Sequence, residues 1–346
     1  MPVIKHTILT NFVCDILQAA GATPPIAGLV AQSLVNSNLS GHDSHGVIRL
    51  QQYLDAITAG ELYPTVEPIV VKETGGVTLV DARHGFGQLG AHFAMKITLE
   101  KARTYALAAT GLYNCNHVGR LGEWVQPAAE EDMIGLAICN GGRPGGLVTP
   151  FGGSDRRLGT NPFAAAIPSA DRPPVLIDFA TSMAAEGKVR VAKNKGVTVP
   201  EGWIQDAQGR PSTVPDDLYN GGALLPMGEH KGYCLSLLME LMGGILTGQG
   251  CSGLPNYTTL KNGVIFMALS IEAFRPLTEF LTDSATLCDL MKTTPPAPGV
   301  DEVLLPGEPE QRASKRRQAE GVPIDETTWQ QLTAAATARS VTIPAI

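Results

Sequence analysis

The run Gly41-His42-Asp43-Ser44-His45-Gly46-Val47-Ile48-Arg49 crowds two imidazoles, a carboxylate, a hydroxyl and a guanidinium into one turn. Ser44 is a good helix N-cap type, and a helix starting there would place His45 and Arg49 four residues apart on one face. That pair would suit a 2-oxo acid. A guanidinium can grip a carboxylate through two parallel bonds, and a charge-assisted bond is worth about 1.5 to 3 kcal/mol. An imidazole titrates near neutrality and can protonate a carbonyl oxygen as hydride reaches the carbon. Spacing alone leaves a plainer account equally open, in which Ser44 only caps, His42 and His45 are solvated or packed locally, and Arg49 pairs with Asp43 or Asp55. A metal reading is weaker, because no third ligand follows His42 and His45 at helical spacing.

Other segments combine polar groups with glycine. Asn114-Cys115-Asn116-His117-Val118-Gly119-Arg120-Leu121-Gly122 reads as a strand end turning into a helix start, where free N–H groups could hold a pyrophosphate or set His117 beside a nicotinamide. Gly159-Thr160-Asn161-Pro162 and Asp178-Phe179-Ala180-Thr181-Ser182 are polar turns at strand boundaries, for which capping is the default explanation. Gly228-Glu229-His230-Lys231-Gly232 puts an imidazole and an ammonium just before an apolar helix, either for a phosphate or as a solvated surface turn. Gly85-Phe86-Gly87-Gln88-Leu89-Gly90 matches the dinucleotide fingerprint G-x-G-x-x-G. The strand before it, Val77–Asp81, reads as the second arm of a hairpin, and no acid ends the next strand near Tyr113-Asn114, so a glycine turn entering a helix is preferred to a Rossmann phosphate loop.

The elements that must carry these residues can be read from periodicity. Apolar residues at Ile8, Phe12, Ile16 and Leu17, at Leu29, Leu34 and Val35, and at Val47, Leu50, Leu54 and Ile57 predict three opening helices, ended by Gly21, Gly41 and Gly60. Residues 69–72 and 77–81 flank Gly75-Gly76 as a hairpin, and a helix follows over 90–105. Strands are expected at 108–113, 134–139, 162–167 and 175–179, and helices at 231–246, 275–291 and 327–339, with 293–299 as a proline-rich loop. This is a mixed α/β pattern.

With 33 acidic and 26 basic residues and a net charge of −7, the chain is a poor polyanion binder, so nucleic acid is not an expected partner. The six cysteines show no C-x-x-C spacing, which suggests free thiols in a reducing compartment. The longest apolar stretch, 235–246, is interrupted by Glu240 and is shorter than the roughly 20 residues of a membrane span. No export signal is visible, and a cytoplasmic location is expected.

Taken in order, the segments His42-Asp43-Ser44-His45-Gly46 with Arg49, Asn116-His117-Val118-Gly119, Gly159-Thr160-Asn161-Pro162, Asp178-Phe179-Ala180-Thr181-Ser182, Asn194-Lys195-Gly196, Gly228 to Tyr233 and Leu305-Pro306-Gly307-Glu308 resemble the type-2 malate/L-lactate dehydrogenase family. The likeness covers nearly the whole chain and is nearest to the bacterial hydroxycarboxylate dehydrogenases. It implies an α/β, non-Rossmann fold that binds NAD or NADP, with a mixed sheet and helical domains at both ends. The expected division is an N-terminal helical domain over 1–65, a body over 66–300 that binds cofactor and substrate, and a C-terminal helical segment over 301–346 packing back on the N-terminal helices. It also implies a homodimer whose sites draw on both subunits.

By position, the resemblance makes His45 the general acid/base, Ser44 its support, and Arg49 and Thr160 the binders of the substrate carboxylate. His117 is the rival acid/base. Cofactor contacts would come from His117, Val118, Gly119, Arg120 and Leu121, from Asp178, Phe179 and Ala180, from His230 and Lys231, and from Gly307 and Glu308. The implied reaction interconverts a 2-hydroxy acid and its 2-oxo acid. Two alternatives are a reductase of cyclic or N-alkyl imino acids and a non-catalytic nucleotide-binding paralogue. Lys188 stands where the imine-reducing branch has an aspartate, which favours 2-oxo acids. The side-chain pocket is expected from residues 141–153 and from the partner subunit, and Arg120, Lys188, Arg190 and Lys193 are equally readable as 2′-phosphate partners or solvated charges.

Overall fold

The chain enters through β1 (Val3–Ile4) and α1 (His6–Ala19), whose stripe of Leu9, Phe12, Val13, Ile16 and Leu17 is fully buried. In α2 (Pro24–Leu39) proline fills the first turn, where its missing N–H costs nothing. The structure is a computed structural model and describes residues 1–142, 144–254, 257 and 260–345; residue 143, inside the expected side-chain pocket loop, therefore lies outside the described residues.

The expected helix from Ser44 is not continuous. Two 3₁₀ turns, Asp43–His45 and Val47–Arg49, meet at an extended Gly46, and only then does α3 (Leu50–Thr58) begin. Asn38 is the cause: its Oδ1 accepts from Val47 N at 2.9 Å and its Nδ2 donates to Asp43 Oδ1 at 2.7 Å. A Cβ at Gly46 would lie 2.2 Å from Asn38 Oδ1, so the turn closes only around glycine. Ser44 makes no cap bond.

The hairpin β2 (Ile69–Thr74) and β3 (Val77–Asp81) turns at Gly75-Gly76 as expected. It is followed by α4 (Gly87–Tyr105), β4 (Leu107–Cys115), α5 (Gly122–Glu130), β5 (Met133–Asn140), β6 (Pro162–Ile167) and β7 (Val175–Ala180). Then come α6 (Glu186–Lys195), β8 (Ile204–Gln205), β9 (Pro211–Ser212), α7 (Pro215–Tyr219), β10 (Ala223–Leu224) and α8 (His230–Met239), which passes into a π turn, Glu240–Leu246. The chain finishes with β11 (Asn262–Ser270), α9 (Leu277–Lys292), α10 (Glu308–Glu320), β12 (Val322–Pro323) and α11 (Glu326–Thr337).

Among the described residues the main sheet has seven strands in the order β2-β3-β4-β11-β5-β6-β7. Only β3 and β4 run parallel; every other neighbouring pair is antiparallel. One step of the sequence reasoning is corrected here, because β3 is both a hairpin arm and the first strand of a parallel β3–α4–β4 unit. The fold is nonetheless not a Rossmann one. A Cβ on Gly87 would lie 2.2 Å from His117 O and 2.3 Å from Asn116 O, so the start of α4 is closed by backbone where a phosphate would have to sit.

Two large cores form. One joins α1, α2 and α3 to Val322, Ile324, Leu332, Ala335 and Ala336 of the C-terminal segment. The other fills the space between the sheet and α4 and α5, with Val80, Leu112, Trp124 and Phe266. The turn carrying His45 sits where the first core meets the second, and α10 straps it: His42 Nε2 lies 3.0 Å from Glu310 Oε1, and Arg317 binds Asp43 at 2.6 Å.

Candidate active site

The His42–Arg49 turn and the end of β4 bring two imidazoles together. His45 and His117 stack with ring centroids 5.6 Å apart and planes 20° from parallel. Each has its own partner at Nδ1. Ser44 Oγ lies 3.0 Å from His45 Nδ1. The Tyr53 hydroxyl lies 2.9 Å from His117 Nδ1 and accepts a 2.7 Å bond from Gln88 Nε2. That hydroxyl therefore has its proton to give to His117, which leaves the neutral ring's N–H at Nε2. Ser44 can donate or accept, so His45 can exchange the protonation of its two nitrogens without losing its support.

Arg49 reaches the same place without the helix expected of it. Its Nε donates to Ser44 O at 2.7 Å and its Nη1 to Gln52 Oε1 at 2.9 Å. The guanidinium is close enough to act on both imidazoles. Burial first, then Arg49, His42 and Arg120, lower the His45 pKa to about 3. Burial, Arg49 and His45 together hold His117 well below the ordinary histidine range. Both rings are thus neutral at neutral pH and ready to accept a proton.

Tyr53 and Gln88 escaped the sequence reading. Tyr53 is four residues beyond Arg49, on the α3 stripe with Leu50 and Leu54, and is only 2% exposed. Gln88 is one of the three variable residues of the glycine fingerprint, so the segment matters here through a side chain that the fingerprint does not specify. A tyrosine one turn beyond Arg49, on the buried stripe of α3, was the available signal.

Among the bonds that hold the turn at residues 117–121 are Val118 N to Asn262 Oδ1 at 3.0 Å, Trp124 Nε1 to Val118 O at 2.8 Å, and Gly122 N to Asp178 Oδ2 at 2.8 Å. The last bond changes the expectation for this helix start, since Asp178 already occupies the leading N–H of α5. Burial pushes the Asp178 carboxyl up, against the pull of Gly122 N–H and Arg120. The available cation is Arg120, which is 6% exposed and whose Nε and Nη1 have no hydrogen-bond partner. It lines a cavity of about 310 Å³ with Asn36, Ser40, Glu123 and Gln318. Buried unpaired guanidinium nitrogens are costly in a chain alone and fit a phosphate-bearing cofactor.

The other sequence candidates lie around this centre. Phe179 packs on Phe163 at 5.8 Å, and Ala180 pairs with Pro162, so the end of β7 adjoins the Thr160 turn. Thr160 O accepts from Thr181 N at 3.0 Å; the Thr160 hydroxyl is not among the hydrogen bonds that join Ser44 to His45 or Tyr53 to His117. Gly187, at the start of α6, approaches Ser44: a Cβ at this position would lie 3.6 Å from the Ser44 Cβ. His230 and Lys231 are exposed on the first turn of α8, with Phe151 edge-on to His230 at 6.0 Å. Gly307 takes φ 95° against Leu176, while Glu308 is engaged by Lys292 Nζ and Leu305 N, both at 2.9 Å. No group of three or more metal-ligating side chains occurs among the described residues, and none of their helices is long and apolar enough to cross a membrane.

Comparison with known proteins shows the family. The family described as Malate/L-lactate dehydrogenase matches residues 4–333. Malate dehydrogenase of Pyrococcus abyssi is 37% identical over 328 residues, covering 91% of this chain and 89% of that enzyme. Hydroxycarboxylate dehydrogenase B of Escherichia coli K12 is 35% identical, covering 95% of this chain and 92% of its own. The crystal structure of malate dehydrogenase from Entamoeba histolytica superposes with a TM-score of 0.93 at 28% identity, covering 99% of each chain. With a paired imidazole centre, an arginine beside it and a match along almost its entire length, the chain belongs to the malate/L-lactate dehydrogenase family, enzymes that act on 2-hydroxy acids.

Proposed function

We propose that this chain interconverts a small 2-hydroxy acid and its 2-oxo acid, with His45 moving the hydroxyl proton and Arg49 and Thr160 holding the carboxylate. The stacking of two neutral imidazoles beside one guanidinium carries the reading. A nicotinamide coenzyme, NAD or NADP, supplies or takes up the hydride. Arg120, Asp178 and the residues from His117 to Leu121 would hold it, with Phe179, Ala180, His230, Lys231, Gly307 and Glu308 as further contacts.

In the oxidation direction, neutral His45 accepts the proton of the C2 hydroxyl, and Ser44 hydrogen-bonds the other ring nitrogen through the transfer. The substrate carboxylate offsets the charge of Arg49 and thereby raises the His45 pKa from its depressed value, which favours the charged ring that results. Reduction runs the same steps backwards, His45 giving its proton to the carbonyl oxygen. His117, fixed by Tyr53 with its N–H at Nε2, is suited to hydrogen-bond the same oxygen; Ser44's two-way hydroxyl is what favours His45 as the proton carrier.

Exposed Leu237, Leu238, Leu241, Ile245 and Leu246 along α8 and the π turn support a homodimer that buries this face and brings His230 and Lys231 into a shared site. Free cysteines without a disulfide among the described residues support a reducing, cytoplasmic setting. The test is steady-state kinetics of His45→Ala and His117→Ala with pyruvate, oxaloacetate, aryl-pyruvates and cyclic imines against NADH and NADPH. The expected result is turnover of a 2-oxo acid, reduced by roughly 100-fold or more in His45→Ala. Near-normal turnover in His45→Ala with loss in His117→Ala passes the role to His117. Preference for a cyclic imine, or coenzyme binding without any turnover, refutes the reaction proposed.

A further inference from the structure

Beneath the sheet's catalytic end lies a carboxylate with no role in proton transfer. Glu240 is 4% exposed and stands at the junction of α8 with the π turn. Its Oε2 accepts from Asn140 Nδ2 at 2.5 Å and Ser252 N at 3.1 Å; its Oε1 accepts from Asn161 Nδ2 at 3.0 Å and Gly159 N at 3.2 Å. All four partners are N–H donors from three separate segments, a set that only an acceptor can satisfy at every point. Among the described residues no salt bridge includes it, and these four hydrogen bonds offset its burial.

Two of the donors belong to residues that flank Thr160. Asn161 sits at φ 36°, a left-handed conformation uncommon for a side chain, and is anchored by Glu240, by Ser236 Oγ at 2.9 Å and by Gly141 N, which donates to its Oδ1 at 2.9 Å. From the other oxygen the network runs to the acid/base turn. Asn140 O accepts from Asn262 Nδ2 at 3.1 Å, and Asn262 Oδ1 accepts from Val118 N, the residue after His117. The π turn itself is pressed on this network, since a Cβ at Gly243 would lie 2.7 Å from Asn140 N and one at Gly244 would lie 2.7 Å from Asn140 Nδ2. A π turn widens the helix by one residue and often marks a functional position.

We propose that Glu240 is a positioning residue that fixes the Thr160 turn relative to the His117 turn, and so sets the distance between carboxylate binding and proton transfer. This rests on the reading of Thr160 as a carboxylate binder. Glu240→Gln keeps the shape but turns an NH2 toward two of the four donors. The wild type, Glu240→Gln, Thr160→Ala and the double variant are compared with the best of pyruvate, oxaloacetate and phenylpyruvate, and NADH affinity is followed by fluorescence titration.

The expected result is a KM for the oxo acid raised roughly ten-fold in Glu240→Gln, with kcat and NADH affinity within about three-fold of wild type. In the Thr160→Ala background the same substitution adds less than about two-fold, because the group it positions is gone. Full multiplication of the two effects, an unchanged KM, or a parallel fall in NADH affinity overturns the role of Glu240. A Thr160→Ala chain with normal KM overturns the assignment of Thr160, and Glu240's with it; a wild type that reduces none of these acids refutes the proposed function first. Should Glu240→Gln not fold, Asn161→Gly removes the same anchor while relieving the backbone, and the same KM rise, with the same loss of effect in Thr160→Ala, is expected.

Discussion

Tyr53→Phe isolates the device that fixes His117. The ring is retained, with its edge contact to Phe86 at 6.0 Å and its tilted contact to His117 at 6.2 Å, so packing is conserved. Only the hydroxyl goes, and with it the 2.9 Å bond to His117 Nδ1 and the 2.7 Å bond from Gln88. Each such bond contributes about 0.5 to 1.5 kcal/mol net, so folding stability falls by about 1 to 3 kcal/mol. Losing the one bond that selects the ring tautomer lets His117 shift its proton to Nδ1, and 0.5 to 1.5 kcal/mol on that equilibrium corresponds to a fall of about 2- to 13-fold in kcat/KM. The assay is kcat/KM for the preferred oxo acid, with nitrogen NMR of the imidazoles to read the tautomer directly. Unchanged kcat/KM together with a His117 proton still on Nε2 would refute the reasoning.

Three further outcomes follow from the same geometry. Arg120→Met removes a buried cation with two unpaired nitrogens and should weaken coenzyme binding by roughly ten-fold or more in a fluorescence titration; unaltered affinity would mean that those nitrogens serve no phosphate. Gly87→Ala drives a methyl into the carbonyls of Asn116 and His117, which are backbone and cannot turn aside, and should cost about 1 to 3 kcal/mol or more in chemical denaturation and depress turnover through His117. The folded-state His45 pKa of about 3 lies below its ordinary 6.5, so between those values the unfolded chain binds a proton that the fold excludes. Stability from this residue is therefore intact above about pH 6.5 and is lost as pH falls toward 3, and a His45→Gln chain should lose less stability between pH 7 and pH 5 than wild type.

Much of the scaffold could be read from local pattern. Gly75-Gly76 between two β-type runs foretold the β2–β3 hairpin, and the runs at 134–139, 162–167 and 175–179 became β5, β6 and β7. The central strand β11 went unassigned although it lies between β4 and β5 and its apolar run, Val264 to Leu269, is mostly buried. A strand covered on both faces lacks the alternation that marks a half-exposed one. The helix α10, expected only from the family resemblance, carried no apolar periodicity for the opposite reason: it buries none of its residues and is held by His42–Glu310 and Arg317–Asp43, pairings between segments more than 250 residues apart that no window of sequence contains.

The site was legible in its residue types rather than its geometry. His45, Ser44, Arg49 and His117 stood out as chemistry-bearing groups, but the helix that should have aligned them is two 3₁₀ turns folded around Asn38, which no propensity rule anticipates. Tyr53 and Gln88 drew no attention as residues until the fold placed Tyr53 against His117 and Gln88 against the Tyr53 hydroxyl.

Val3 pairs with Pro323 and Ile4 with Val322, and the core beneath the His45 turn is completed by residues as late as Ala336. A ribosome makes the N-terminal side first, so the opening helices must wait until Ala336 has been made before their apolar stripes find their last partners. A chain cut short between α9 and α10 would keep His45, Arg49, His117 and Thr160 yet lack the strap that His42 and Asp43 bind.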